Sequence, residues 1–330
     1  MSASLIPSSS TPAAASPPRN QSRATRQIVW LTLAAIALYV GVRQLPTGTN
    51  LSHLDFRVEG GNSIEFCDPA NPQFIPVVAV RSPVTLSLTT MAQPLATDQV
   101  ARVTAKLTTA SGKPIGPPDL LVAHTEKLHL LIFDPELRDY QHVHPVPGEK
   151  PGDWVFTFTP HRTGNYRVFA DFTPAATGRG LYASADLEVA ARKEKSTTAE
   201  PDLEVGEKTV GQSEVVQDGI VFRLNPAALP LKARAMSDFE FSVQRQDGSA
   251  VQLQPVMDAY AHLVAIDRDR SGFAHLHPAQ LVPSDGKTAA YSKLQFKVLI
   301  PKAGRYVIWS QVRVDGREYY APFWFEVEKG

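Results

Sequence analysis

The chain carries two copies of a histidine pattern whose spacing suits metal binding. In the first copy, His129 is followed by His142 and His144, which are two positions apart. Each histidine has a counterpart 133 positions later (262 − 129, 275 − 142 and 277 − 144), which defines an internal repeat. Imidazole is the commonest metal-binding side chain near neutral pH, and three imidazoles can occupy three corners of a tetrahedral site. The repeat therefore predicts one metal site in each copy, or one site that the two copies share.

Each copy also predicts a β-hairpin. The apolar runs Leu128–Phe133 and Ala261–Ile266 end at an Asp and a polar loop, which is typical of a strand that enters a turn. Pairing across this loop places His129 opposite His144 and beside His142, because side chains two apart on a strand share a face. Directly opposed Cβ atoms lie about 5 Å apart. We therefore expect three imidazoles to converge in each hairpin.

Two further residues, His124 and Met257, are candidate ligands because they occupy equivalent places before the hairpins, again 133 positions apart (257 − 124). Thioether is a soft ligand and imidazole a borderline one, so this pair favours copper over a hard cation such as calcium. Zinc is the second candidate metal. The predicted ligand set is His129, His142, His144, His262, His275, His277, His124 and Met257.

Two other interpretations of the histidines stay open at this point. The rings could form an ordered polar cluster, hydrogen-bonded to groups such as Asp134 and Asp267, in a metal-free structural or interaction module. Alternatively, three imidazoles and a water could make a zinc-dependent hydrolase or hydratase, for which the same two carboxylates are the candidate general bases. No phosphate-binding glycine loop, dinucleotide fingerprint or nucleophile elbow occurs in the sequence. We therefore expect a non-enzymatic protein without catalytic residues, and no small-molecule substrate is identified.

The first part of the chain predicts attachment to a membrane. Residues 1–27 are rich in Ser, Pro, Ala and Thr and predict a disordered tail. Residues 28–45 contain the uncharged run Ile28–Val42 and predict a transmembrane anchor. Because three arginines precede this run, the positive-inside rule places the tail in the cytoplasm and the remainder outside. We expect a single-pass protein of the inner membrane with a periplasmic bulk. A cleaved signal peptide would give the same external location.

Composition restricts the remaining partners and bonds. The 330 residues include 33 basic and 33 acidic side chains, so the net charge gives no reason to expect nucleic acid as a partner. Cys67 is the only cysteine, which excludes an intramolecular disulfide. The expected partners are the membrane, through the apolar segment, and other metal-handling proteins of the cell envelope.

The rest of the chain predicts two all-β domains. Short apolar or alternating runs recur about every ten residues, as in an immunoglobulin-like sandwich. We predict a tether over residues 46–81, a first domain over 82–190, a linker over 191–214 and a second domain over 215–330. Each domain also contains a Pro-x-x-Gly-x-Tyr segment or a close variant, in which the tyrosine is expected to have a structural role.

The repeated motif resembles extracytoplasmic immunoglobulin-like modules grouped as YtkA-like. The matching segments are His129 with Tyr140-Gln-His142-Val-His144-Pro145 and Gly164-x-Tyr166, and His262 with Phe273-Ala-His275-Leu-His277-Pro278 and Gly304-x-Tyr306. Tyr140 stands where phenylalanine is usual in such modules. The resemblance covers about residues 82–327 as two copies. It implies a β-sandwich fold and a role in heavy-metal or copper handling in the bacterial envelope.

Overall fold

A computed structural model describes residues 21–43, 49, 51–57, 72–90, 95–191, 213–280 and 293–330. Three predicted features lie outside the described residues: the tail over residues 1–20, Cys67, and the part of the linker over 192–212. The chain divides into two compact units, Met1–Gly48 and Thr49–Gly330. The second unit contains both predicted β-domains.

The first unit contains a single described helix, α1 (Gln21–Arg43). A helix of 23 residues is about 35 Å long, enough to cross a hydrocarbon core of about 30 Å. Its segment Arg23–Val42 has a mean hydropathy of 1.5 and fits either a membrane anchor or a signal sequence. The helix begins seven residues before the predicted start at Ile28 (28 − 21), since the preceding Gln, Arg and Ala residues are good helix formers.

The first β-domain consists of short and long strands with two 3-10 helices, His53–Phe56 and Pro117–Asp119. Its described strands are β1 (Val84–Thr90), β2 (Leu95–Ala96), β3 (Ala101–Thr109), β4 (Leu120–Leu121), β5 (Leu128–Phe133), β6 (Tyr140–Val143), β7 (Val146–Pro147), β8 (Asp153–Phe158), β9 (Gly164–Pro174) and β10 (Leu181–Ala190).

The second β-domain repeats most of this order, with an additional first strand and, among its described residues, no counterpart of β7. Its described strands are β11 (Glu214–Gln217), β12 (Ile220–Pro226), β13 (Leu231–Lys232), β14 (Met236–Arg245), β15 (Leu253–Gln254), β16 (His262–Asp267), β17 (Phe273–Leu276), β18 (Lys293–Leu299), β19 (Gly304–Val314) and β20 (Arg317–Glu328).

Each domain is a sandwich of two sheets. In the first domain, the order β1-β3-β8-β7 forms one sheet and β2-β10-β9-β5-β6 forms the other, with β4 paired to β9. The second domain has β11-β12-β14-β18 and β13-β20-β19-β16-β17, with β15 paired to β19. In both domains, a short strand at the edge of the larger sheet pairs in parallel with its neighbour, whereas the other strand pairs of that sheet are antiparallel. The predicted pair of tandem immunoglobulin-like sandwiches is thus confirmed.

The predicted tether over residues 46–81 differs from the structure in its described parts. Leu51 and Phe56 are buried in the core of the first domain. Phe74 belongs to the core of the second domain, and Ile75 pairs with Phe273 through two backbone hydrogen bonds. These apolar side chains stabilise the fold by leaving water, so the described parts of the segment belong to the two domains.

The repeated glycine-tyrosine segments close a turn before β9 and β19. Gly164 and Gly304 have φ values of 119° and 149°, which L-residues rarely adopt. The hydroxyl of Tyr166 accepts a hydrogen bond from the backbone N–H of Arg162 at 3.0 Å, and that of Tyr306 donates to the carbonyl of Lys302 at 3.1 Å. The predicted structural role of both tyrosines agrees with these contacts.

The larger sheets of the two domains pack against each other. Along β5, Leu130 and Ile132 point into the core of their own domain, whereas Leu131 and Phe133 belong to a separate apolar cluster. This interdomain cluster also contains Val264, Ile266, Phe273, Val307 and Trp309 of the second domain. Because side chains alternate along a strand, the histidine face of β5 is the face that meets the second domain.

The interdomain contacts are arranged with approximate twofold symmetry. The rings of Phe169 and Phe273 lie 5.2 Å apart, and those of Trp309 and Tyr140, at the equivalent positions of the other copies, lie 5.7 Å apart. Arg167 also donates to the carbonyl of Arg270 across the boundary at 3.0 Å. A mostly apolar face of this kind resembles a domain core and fixes the two sheets in one arrangement.

Replacing Phe273 with alanine tests this interface. The side chain is fully buried against Phe169 and Tyr182 of the first domain, so we expect the free energy of unfolding to fall by about 3–5 kcal/mol. Denaturant unfolding of the full chain in detergent micelles measures this change. Val216→Ala is the control, because that side chain is exposed and should change stability by less than about 0.5 kcal/mol. A loss below about 1 kcal/mol for Phe273→Ala would contradict the packing described.

Candidate metal centre

The two hairpins have the strand register that the sequence predicts. Leu131 pairs with His142 in the first hairpin, and Val264 pairs with His275 in the second. This register brings together two groups of three histidines whose ligand atoms lie within 4.8 Å of one another. We call the group His129, His142 and His144 triad 1, and the group His262, His275 and His277 triad 2.

Triad 1 has a hydrogen-bond pattern that defines which ring nitrogens carry protons. His129 Nε2 lies 2.9 Å from the carbonyl oxygen of Ala123, which only accepts, so this nitrogen must donate. The neutral ring then presents a bare Nδ1 to the triad. The nitrogens facing this atom are Nε2 of His142 and Nε2 of His144, each at 3.2 Å.

The protonation of His142 is fixed from the second domain. The Gln311 amide nitrogen donates to a Glu318 carboxylate oxygen at 2.9 Å, which orients the Gln311 oxygen towards His142. Nδ1 of His142 therefore donates to that oxygen at 2.9 Å, and its Nε2 is bare. Two unprotonated nitrogens thus face each other at 3.2 Å in triad 1, and neither can donate a hydrogen bond to the other.

Triad 2 repeats this arrangement. His262 donates from Nε2 to the carbonyl of Val256 at 2.8 Å, and its bare Nδ1 lies 3.2 Å from Nε2 of His275. His275 Nδ1 contacts a carboxylate oxygen of Asp171, in the first domain, at 3.4 Å. Nε2 of His277 is buried and has no hydrogen-bond partner within the described part of the chain. Triad 2 therefore also places acceptor nitrogens together without a shared proton.

A metal ion satisfies this geometry. Zinc binds imidazole nitrogen at about 2.0–2.1 Å, so two ligands of a tetrahedral site lie about 3.3 Å apart. The separations of 3.2 Å in both triads agree with that value. Outer groups that hold the second ring nitrogen, as Ala123 and Val256 do here, are typical of metal-binding histidines.

The partners of the inner histidines are exchanged between the domains. Asp171 of β9 bonds His275 of the second hairpin, and Gln311 of β19 bonds His142 of the first hairpin. Asp171 and Gln311 are equivalent positions, because they pair with His129 and His262 in their own sheets. Each triad therefore depends on the other domain for the orientation of one ligand.

The remaining predicted ligands, His124 and Met257, lie in the turns before the hairpins with φ values of 50° and 48°. The His124 ring stacks on that of His277 at a centroid distance of 3.8 Å and lies 6.4 Å from that of His129. His124 therefore extends from the first domain over triad 2. The prediction that these two residues are ligands stays a prediction.

The two carboxylates considered as general bases or hydrogen-bond partners lie away from the triads. Asp134 accepts hydrogen bonds from the backbone N–H groups of Arg138 and Asp139. Asp267 accepts two from Ser271, one from its backbone N–H and one from its hydroxyl. Both close the hairpin loops, at the far end of strands that begin near His129 and His262. At about 3.3 Å per residue, this end is about 16 Å from those histidines. The expectation that Asp134 and Asp267 act as general bases or as hydrogen-bond partners of the histidines is therefore wrong.

Burial controls the charge of the cluster. It lowers the pKa of His124 and of all six triad histidines, to about 4 for His262. Burial also raises the pKa of Asp171, against the opposite effect of the neighbouring His129 and His124. Burial would raise the pKa of Glu318 too, but hydrogen bonds from Gln311 and Arg313 lower it overall. The rings are thus held neutral, which is the form that binds metal.

Sequence reasoning missed Asp171 and Gln311. Each residue follows the glycine of its repeated turn by seven positions (171 − 164 and 311 − 304), so the repeat aligns them. Their side chains differ, so sequence identity does not reveal that the two positions are equivalent. Neither residue type by itself predicts a hydrogen bond to a histidine in the other domain.

Comparison with protein families gives a match to the family described as Domain of unknown function (DUF8832), in two segments, residues 80–191 and 213–329. The chain belongs to this family. The two DUF8832 segments correspond to the two sandwiches, and each contains one triad. The resemblance to YtkA-like modules stays a prediction. Comparison with curated proteins gives no match.

Among solved structures, the chain is similar to the Escherichia coli adhesin FdeC at 16% identity, with a TM-score of 0.23, over 74% of this chain and 63% of that one. It is also similar to fibronectin(III)-like modules of Clostridium thermocellum CbhA at 7% identity, with a TM-score of 0.19, over 74% and 95%. A putative membrane anchored protein from Corynebacterium diphtheriae matches at 9% identity, with a TM-score of 0.22, over 75% and 59%. The chain thus spans less than two thirds of the adhesin.

The lowered histidine pKa values predict loss of stability in mild acid. In the unfolded chain a histidine binds a proton near pH 6.5, whereas the buried rings of the metal-free fold resist protonation, His262 until about pH 4. The unfolded state therefore binds more protons, and each such histidine lowers the unfolding free energy by about 1.4 kcal/mol per pH unit below about 6.5. Denaturant unfolding between pH 7 and pH 4 measures the slope.

The variant His142→Gln with His275→Gln should show a shallower slope. The control is Val216→Ala, whose exposed side chain carries no titrating group and which should keep the wild-type slope. Equal slopes in all three proteins would show that the inner histidines titrate normally.

Proposed function

We propose that this protein is a membrane-anchored, extracytoplasmic metal-binding protein in which each triad holds one transition-metal ion. The observation that carries the proposal is the pair of unprotonated nitrogens, His129 Nδ1 facing His142 Nε2 and His262 Nδ1 facing His275 Nε2, each 3.2 Å apart. Two lone pairs repel at this distance unless a cation lies between them. Because burial disfavours the imidazolium form, a metal ion is the better cation than a proton.

Copper is the favoured metal. Both triads consist of neutral imidazoles, and no carboxylate is part of either group. Imidazole suits copper and zinc, and the softer Met257 at the position equivalent to His124 favours Cu(I). Among divalent first-row ions, Cu(II) also binds nitrogen ligands more strongly than Zn(II). Zinc is the alternative ion for the same ligands.

We propose a binding role rather than a catalytic one. A hydrolytic zinc site needs a water ligand and a general base within hydrogen-bond reach. The two carboxylates that the sequence offers for this role close the hairpin loops instead. Asp171 does contact a triad, but it lies against a ring nitrogen of His275 and so supports a ligand.

The helix and its charges support an extracytoplasmic setting. Helix α1 contains a segment long enough to span a bilayer, and Arg23 and Arg26 lie at its start. Under the positive-inside rule, this charge pattern favours both sandwiches outside the cytoplasm, in the periplasm if the anchor lies in an inner membrane. We propose that the protein stores, delivers or senses copper there together with other envelope proteins. The resemblance to YtkA-like modules supports this role.

Metal analysis of full-length protein purified without a histidine tag tests the proposal. We expect the chain to take up two equivalents of Cu(I) in anaerobic titration against a chromophoric competitor. His142→Ala with His144→Ala removes two of the three nitrogens of triad 1, so this variant should retain one equivalent. His275→Ala with His277→Ala should likewise retain one.

The matched control is His53→Ala with His161→Ala, because both side chains are exposed and lie outside the triads. This control should still bind two equivalents. Two tightly bound ions in a variant that lacks either pair of triad histidines would refute the assignment of the ligands.

A further inference from the structure

The two triads lie against each other at the domain boundary. The ring centroids of His142 and His275 are 5.4 Å apart, and those of His129 and His275 are 5.9 Å apart. These distances between triads are close to the 5.3 Å that separates His129 from His142 within triad 1. Rings of different triads are thus about as close to each other as rings of the same triad. Seven of the nine histidines of the chain therefore form one continuous group.

The outer contacts also join the triads. His124 comes from the first domain but stacks on His277 of triad 2 and lies 6.3 Å from His262. The exchanged partners Asp171 and Gln311 tie each inner histidine to the opposite sandwich. An ion held by one triad would thus share its surroundings with an ion held by the other.

The charges of the two halves differ. Asp171, beside His275, brings a carboxylate to triad 2, whereas the equivalent Gln311 brings a neutral amide to His142 of triad 1. Glu318 does not contact the histidine directly in this way. Its carboxylate lies beyond Gln311 and accepts hydrogen bonds from Gln311, Arg313 and Tyr320. A carboxylate bonded to a ligating histidine strengthens that ligand. Triad 2 should therefore bind an ion of higher charge more tightly than triad 1 does.

Resting on the proposed function, we propose that the two triads form one dinuclear centre that accepts a pair of monovalent ions and resists a pair of divalent ions. Coulomb repulsion scales with the product of the charges, so it is four times greater between two divalent ions than between two monovalent ions at the same separation. Burial limits screening by water and salt. Asp171 offsets part of the charge of a monovalent pair but little of that of a divalent pair. The first divalent ion occupies triad 2 and weakens the binding of the second.

The test compares Cu(I) with Co(II) on the metal-free full chain in detergent micelles, under anaerobic conditions. Competition titration gives both Cu(I) affinities, and the visible absorption of Co(II) gives both Co(II) affinities. We expect the ratio of first to second affinity to be at least about 100 times larger for Co(II) than for Cu(I). Equal ratios for the two metals would overturn the dinuclear proposal. Failure to bind either metal would overturn the proposed function as well.

A second measurement tests the coupling directly. In His275→Ala with His277→Ala, triad 1 has no occupied neighbour, so it should bind Co(II) more tightly than the wild-type chain binds its second Co(II). Independent sites would give the same affinity in both proteins. That result would leave metal binding intact and would refute the coupling.

A conservative variant covers the case in which these histidine substitutions impair folding. Asp171→Asn keeps the size of the side chain and removes the charge that distinguishes triad 2. We expect it to weaken the first Co(II) by about 10–100-fold and to change Cu(I) binding less. The control is Asp98→Asn, whose partly exposed carboxylate pairs with His161 away from the triads. An unchanged first Co(II) affinity in Asp171→Asn would refute the assigned order of filling.

Discussion

The structure depends on the burial of a sheet surface that most single sandwiches expose to solvent. Strands β5 and β16 are buried on both faces, one within their own domain and one against the other domain. An antiparallel sheet usually has one solvated face, where histidines would be hydrated and readily protonated. Here the second face meets the other domain, so the rings of His129, His142, His262 and His275 are buried, and their hydrogen bonds are made within the protein. The unprotonated nitrogens that face each other in these pairs are a consequence of this packing.

The chain of hydrogen bonds from Glu318 to His142 shows how a distant charge controls a ligand atom. Glu318 accepts from the Gln311 amide, the Gln311 oxygen accepts from Nδ1 of His142, and Nε2 is left with its lone pair towards the triad. Triad 2 reaches the same result in one step through Asp171. Two different sets of side chains thus fix the same tautomer in equivalent histidines.

Local features were predictable from the sequence. The hairpin register follows from pairing across the polar loop and from the fixed spacing of His129, His142 and His144, and the structure has that register. Short apolar or alternating runs at regular intervals predict the strands of both sandwiches. The approach of the two triads was not predictable, because it depends on which faces of two separate domains meet. Phe169 and Trp309 form equivalent interdomain contacts. The sequence does not distinguish an aromatic residue buried in a domain core from one buried in an interface between domains. The inclusion of Phe74 and Ile75 in the fold was hidden by the many prolines around them.

The covalent connection of the two copies has a consequence for how this arrangement can diverge. In a homodimer of one such domain, twofold symmetry would place the same residue at both positions of the exchanged pair. Because both copies are encoded in one polypeptide, position 171 can be aspartate while position 311 is glutamine. Two copies in one polypeptide thus allow an asymmetric charge distribution that self-association of identical subunits forbids.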